Sequence, residues 1–213
     1  AVVALLFVDE IQEKIDESEI KEIKSVREKY LDKGFLEELI NELEEYRDNE
    51  GSKYDDMHEY FKVFKDLKHI TPDDPLGLND ALRYFWQTDE DEELYIIKHR
   101  QFEEYYKDKL YKFENILVYF VFRYFMKAVF DYDILAKIKT ALVSYMIIRE
   151  LAVVRYIENN EFTDEDMVDI AHTYSKDIEH LEENIEALAE LFETNDVFDY
   201  YTWLMNTYYG QGA

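Results

Sequence analysis

The stretch that decides the fold is ENILVYFVFRYFMKAVF, residues 114–130, followed by the turn Asp131-Tyr132-Asp133 and by ILAKIKTALVSYMIIRELAVVRYI, residues 134–157. Wound as α-helices, both segments are apolar on most faces, and a helix of that kind is covered by neighbours. The first carries Arg123 and Lys127 and is too short to cross a bilayer. The pair therefore reads as a helical hairpin, Glu114–Phe130 and Ile134–Ile157, at the centre of a soluble all-α multi-helix bundle.

Downstream, Thr163 and Asp166 resemble a capping box, with Asp in place of the usual Glu. Met167, Ala171, Tyr174, Ile178, Leu181, Ile185, Leu188 and Phe192 then follow at alternating spacings of four and three. That is a heptad seam, and it predicts a helix from about Asp164 to Phe192 with Glu182, Glu183, Glu186 and Glu190 on its far face. A coiled-coil dimer would show this pattern, and so would one helix packed on the hairpin. The apolar hairpin favours the second. A Tyr-rich tail, Val197 to Tyr209, ends the chain with Gly210-Gln211-Gly212-Ala213.

Upstream, Ala4, Val8, Ile11 and Ile15 predict a first helix ending near Asp16. Ser18 is the expected cap of a second, which carries Ile20, Ile23 and Tyr30 and stops at Gly34. Leu36, Leu39, Ile40 and Leu43 mark a third, with Gly51 beyond its end, and Met57, Tyr60, Phe61, Phe64 and Leu67 mark a fourth. Both prolines of the chain fall in Thr71-Pro72-Asp73-Asp74-Pro75-Leu76-Gly77, a loop by composition. It divides the chain into an N-terminal helical layer (1–70), a loop (71–78) and a core bundle with the tail (79–213). Asn79 and Thr88 are the expected N-caps after it, and Leu94, Ile97 and Tyr105 lie on the helix that begins after Thr88.

Composition supports this organisation and narrows function. Five glycines and two prolines in 213 residues are too few for the turns of a sheet protein. Fifty acids against 24 Lys and Arg give a net charge of −26. Such a surface repels nucleic acid and suits a basic partner or plain solubility. The chain has no cysteine, so it supplies no thiolate for zinc, for an iron–sulfur cluster or for nucleophilic catalysis. No signal peptide or membrane span is visible, which points to the cytoplasm. The chain begins at Ala1 inside an apolar helical pattern and reads as part of something longer.

Signs of chemistry are sparse. No phosphate-binding glycine loop and no nucleophile elbow occurs. Acid-x-x-His pairs are present, among them Asp55/His58, Asp169/His172 and Asp177/His180. An i, i+3 pair shares a helix face, but a chain this acidic produces the spacing by chance, and no metal site is read from it. Arg123 is the most informative charge, because it stands among Tyr119, Phe120, Phe122, Tyr124 and Phe125. A buried guanidinium needs an acid, with Glu150 and Glu179 as candidates. It serves either a structural ion pair or a contact in a cleft. In Tyr174-Ser175-Lys176-Asp177-Ile178-Glu179-His180, the seam residues Tyr174 and Ile178 are followed by Glu179 and His180, which can reach the hairpin.

The segments 114–125, 135–139, Ser144-Tyr145 and 174–184 resemble the flagellin lysine N-methylase family over about a third of the chain. Lys176 departs from the arginine expected there. The resemblance implies a longer parent that methylates flagellin lysines with S-adenosylmethionine. It also implies a cysteine-rich N-terminal half holding an iron–sulfur cluster, which is absent from this chain. Partners implied are that N-terminal half and flagellin, with no nucleic acid and no membrane. The matched polar positions Asn115, Tyr119, Arg123, Tyr174, Ser175, Glu179, His180 and Asn184 become candidates for an interface or substrate cleft. On this reading the chain shapes the cleft and is not catalytic alone. The alternative is a stand-alone acidic helical interaction module.

Overall fold

Every regular element in the computed structural model is helical. It describes residues 2–47, 53–70, 74, 76–87 and 91–198 and, among these, contains no strand. In chain order the helices are α1 (Val2–Asp16), α2 (Ile23–Leu31), α3 (Lys33–Arg47), α4 (Tyr54–Asp66), α5 (Leu78–Phe85) and α6 (Asp91–Tyr106). They continue with α7 (Tyr111–Phe125), the single turn α8 (Ala128–Asp131), α9 (Ile134–Asn159), α10 (Asp164–Tyr174) and α11 (Glu182–Thr194). Gly51, Thr88, most of the proline loop and the Tyr-rich tail from residue 199 onward lie outside the described residues.

The axis of the bundle is α9. Most of its 26 residues are buried, and α1, α5, α6, α7, α10 and α11 all pack against it. Its start is held twice: Asp133 accepts from the Ala136 N–H at 2.9 Å, and Gln12 of α1 accepts from the Ile134 N–H at 2.8 Å. Those bonds satisfy donors that the first turn of a helix leaves open. Tyr132, at φ 61°, supplies the left-handed reversal between α8 and α9.

The hairpin expectation holds for α9 and half-holds for α7. Phe113, Phe120, Tyr124 and Ala128 are buried, but Val118, Phe122, Phe125, Met126, Val129 and Phe130 on the other side are exposed. The predicted helix through Phe130 also breaks after Phe125. The Lys127 N–H bonds the Tyr124 carbonyl and the Phe130 N–H bonds the Lys127 carbonyl, so the backbone tightens into turns before α8.

The heptad helix is interrupted as well. The predicted capping box is present at the start of α10, but residues Ser175–Glu179 form a π turn, and α11 starts anew at Glu182. A wide turn of this kind adds a residue to the helical repeat and re-aims the side chains beyond it. Seam residues Met167, Tyr174, Ile178, Leu188 and Phe192 are buried within this one chain.

Three cap expectations fail. Ser18 sits at φ 61° just beyond the end of α1 and caps no helix. The second helix stops at Leu31, and Gly34 lies inside α3, whose start is capped by Asp32 accepting from the Phe35 N–H. At α5 the cap is Asp74, which accepts from the N–H groups of Leu78 and Asn79, and Asn79 is already helical. At α3 and α5 a nearby aspartate takes the role, because its carboxylate reaches the open N–H groups of the first turn.

Candidate substrate cleft

The π turn carries Glu179 inward. Its side chain is fully buried, yet it forms part of the lining of two cavities. Arg123 Nε of α7 donates to Glu179 Oε1 at 2.7 Å, Tyr119 Oη donates to the same oxygen at 3.0 Å, and Ser175 Oγ donates to Oε2. Burial alone would raise the Glu179 pKa; the bonds from Ser175, Arg123 and Tyr119 outweigh it and hold the group below its usual value. Tyr119 moves the other way: burial and the neighbouring Glu179 raise its phenol. The group is thus an anion with its donors fixed around it.

On one side of Glu179 lies a groove of about 450 Å³ between α7 and α10. Its walls include Ile116, Phe120, Val168 and Ala171, with Asn115 and His172 among the polar groups. On the other side lies an open cavity of about 730 Å³ bounded by Arg123, Lys127 and Phe130 and, facing them, Glu182, Ile185 and Glu186 of α11.

Six of the eight sequence candidates therefore meet here: Asn115, Tyr119, Ser175 and Glu179 at the groove, and Arg123 and His180 at the open cavity. The other two do not. Tyr174 is fully buried and donates to Ser144 Oγ at 2.7 Å, inside the core. Asn184 is buried against the backbone of Lys68, accepting from its N–H at 2.9 Å and donating to its carbonyl at 2.8 Å.

One expectation about Arg123 is corrected. The partner is an acid from another element, as expected, but the side chain is 38% exposed. The outer face of α7 has no neighbour among the described residues, so the guanidinium lies at the rim and its acid is the buried member.

The histidines of the acid-x-x-His pairs lie in unlike surroundings. His58 stacks on Trp86, and neither His172 nor His180 is buried. Asp177 instead accepts from the Ile70 N–H at 2.8 Å and meets His69 Nδ1 at 2.5 Å. A second buried cluster went unread: Glu150 of α9 meets His99 Nε2 at 2.7 Å and Lys53 Nζ at 2.8 Å. In both clusters the partner lies far off in sequence, and spacing carries no sign of it.

Among the described residues no group of acids and histidines could hold a metal ion. An iron–sulfur cluster does not fit this chain, which has no cysteine to bind one. The described glycines, Gly34 and Gly77, line neither cavity, so neither has a glycine turn against which a nucleotide could approach the backbone.

A family model described as FliB lysine N-methylase C-terminal domain matches residues 1–205. The chain belongs to the FliB lysine N-methylase C-terminal domain family. The matched length takes in α1 to α11, so the family domain includes the N-terminal helices, which lie outside the segments that carry the sequence resemblance. No curated protein and no solved structure matches the chain. In this FliB family domain, both cavities and the Glu179 constellation fall within the matched residues.

Proposed function

We propose that this domain is the substrate-holding part of a flagellin lysine N-methylase, and that the remainder of the parent protein supplies the methyl donor's seat. The observation that carries the reading is Glu179. It is a buried anion in the lining of a groove walled by Ile116, Phe120, Val168 and Ala171. A lysine side chain has the matching form, four methylenes followed by an ammonium. Three side chains donate to Glu179, and a carboxylate accepts about four bonds; because Glu179 itself is fully buried, an incoming ammonium reaches it on this reading only as the part-exposed Arg123 guanidinium moves aside. The surplus of acids over bases draws lysine-bearing segments toward the domain.

In this arrangement Tyr119, Arg123 and Ser175 are positioning residues that fix the carboxylate. No bond-making step is assigned to this chain. A competing reading, a stand-alone acidic module that captures a basic partner, rests on the net charge of −26.

The test is methylation of flagellin lysines by the full-length parent and by its Tyr119→Phe and Glu179→Gln variants. We expect KM to rise about tenfold for Glu179→Gln, the cost of one charge-assisted bond, with a smaller rise for Tyr119→Phe. Unchanged KM in both variants overturns the cleft assignment. A parent that methylates no lysine leaves the interaction module.

A further inference from the structure

The outer face of α7 and α8 carries an exposed apolar stripe that borders the cleft at Phe130. Val118, Phe122, Phe125, Met126 and Val129 follow one another by four, three, one and three residues, which sets them along one side of a helix. Phe130 continues the stripe. Phe130 is 85% exposed, Phe122 72%, and Met126 and Val129 64% each. The opposite side of α7 is already buried, chiefly on α9, so the helix is apolar on its outer side as well as its inner one. A helix that closed the bundle at its surface would show a polar outer face.

Charge also marks this face. Residues 115–130 contain no acid, although the chain has 50, and the charges among them are Arg123 and Lys127. With aromatic side chains presenting about 150–250 Å² each, the stripe offers on the order of 600 Å² of apolar surface. That is the upper end of what a typical monomer leaves open, and patches of this size are often functional. The extent suits an interface between domains of one polypeptide, about 600–1,500 Å² in all. A stable pair of separate chains needs about 800 Å² from each side, and two copies carrying −26 each repel.

We infer that this stripe is the seat of the polypeptide that precedes the domain in its parent, and that the docked part is apolar with an acidic rim facing Arg123 and Lys127. The inference rests on the proposed reading of the chain as one domain of a longer methylase. It extends that reading, because Arg123 belongs both to the stripe's border and to the cleft. Docking here would set the remainder of the parent beside the open cavity.

The experiment is side-chain footprinting of the full-length parent with a diffusible carbene or radical label. Val168 of α10 and Tyr111 serve as references, at 66% and 55% exposure. Labelling of Phe122, Met126 and Phe130 at about one-tenth or less of the reference rate is expected, independent of protein concentration. In the Phe122→Asp/Phe130→Asp variant, labelling of Met126 should rise to the reference rate while the circular dichroism spectrum stays helical. Labelling of the wild-type stripe at the reference rate overturns the inference. Protection lost on dilution assigns the face to a second copy and overturns it equally. Methylation is a separate readout: a protected stripe in a protein that methylates no lysine would reject the proposed function and leave the interface standing.

Discussion

Arg123 Nε lies 2.7 Å from Glu179 Oε1, and the two side chains occupy opposite environments: the acid is fully buried and the base is 38% exposed. Removing the base and removing the acid should therefore differ. Water can reach the Arg123 position, and Glu179 keeps its bonds from Tyr119 and Ser175. We expect Arg123→Ala to cost about 1 kcal/mol after discounting for solvent screening. Glu179→Ala strips the acceptor from three donors and should cost about 2–4 kcal/mol. Urea denaturation of both variants checks the order; an Arg123→Ala loss as large as that of Glu179→Ala would contradict it.

Glu150 should make the domain acid-sensitive. Burial alone would raise its pKa, but the charges of His99 and Lys53 and their hydrogen bonds outweigh burial and hold it far below the ordinary 4.5. A carboxyl with a folded pKa below its unfolded one adds stability that is complete above its unfolded pKa, about 4.5, and is lost as pH falls below it. Thermal melts from about pH 7 to about pH 3 should show a decline that begins near that value. In Glu150→Gln the decline should flatten, and the loss at neutral pH should be about 3–5 kcal/mol, because Lys53 and His99 lose their carboxylate. A variant whose acid limb matches the wild type would disprove the role.

Asn184 matches the family resemblance but does structural work. Its amide closes two bonds with the backbone of Lys68, which joins the start of α11 to the segment after α4. Asn184→Ala should destabilise the domain by about 2–3 kcal/mol, since it removes both partners from that backbone. On the proposed function, the KM of the full-length parent for flagellin should not change in the protein that remains folded. A changed KM with unchanged stability would return Asn184 to the cleft.

Thr163 offers a local test of the helix reading. Its hydroxyl accepts from the Asp166 N–H while Asp166 accepts from the Thr163 N–H at 2.8 Å. Thr163→Ala should cost about 1 kcal/mol, measurable as a shift in the urea midpoint at constant slope. No shift would mean that tertiary contacts alone hold the start of α10.

Periodicity made the helices legible, because an apolar face repeats every 3.6 residues whatever the helix meets. It placed α1, α4, α9 and the start of α10 close to where they lie. The capping box was legible for a related reason, since Thr163 and Asp166 satisfy each other across three residues. The breaks were harder to see. The π turn at Ser175–Glu179 and the stop after Phe125 fall inside patterns that continue undisturbed through them.

What the sequence determined by itself was helical class, the apolar run of α9 and the absence of any thiolate, all properties of local pattern and composition. Tertiary structure alone decided which side of α7 is covered, that Glu179 and not Glu150 meets Arg123, and that Asp177 turns to His69. Glu150 and Glu179 both stand on helical segments with a base in reach of some arrangement, and one-dimensional spacing ranks neither. The choice is made by the π turn, which rotates Glu179 toward α7, and by α6 and the start of α4, which bring His99 and Lys53 onto Glu150. Burying a carboxylate is costly unless donors meet it, so the packing that buries each acid also brings its donors to it.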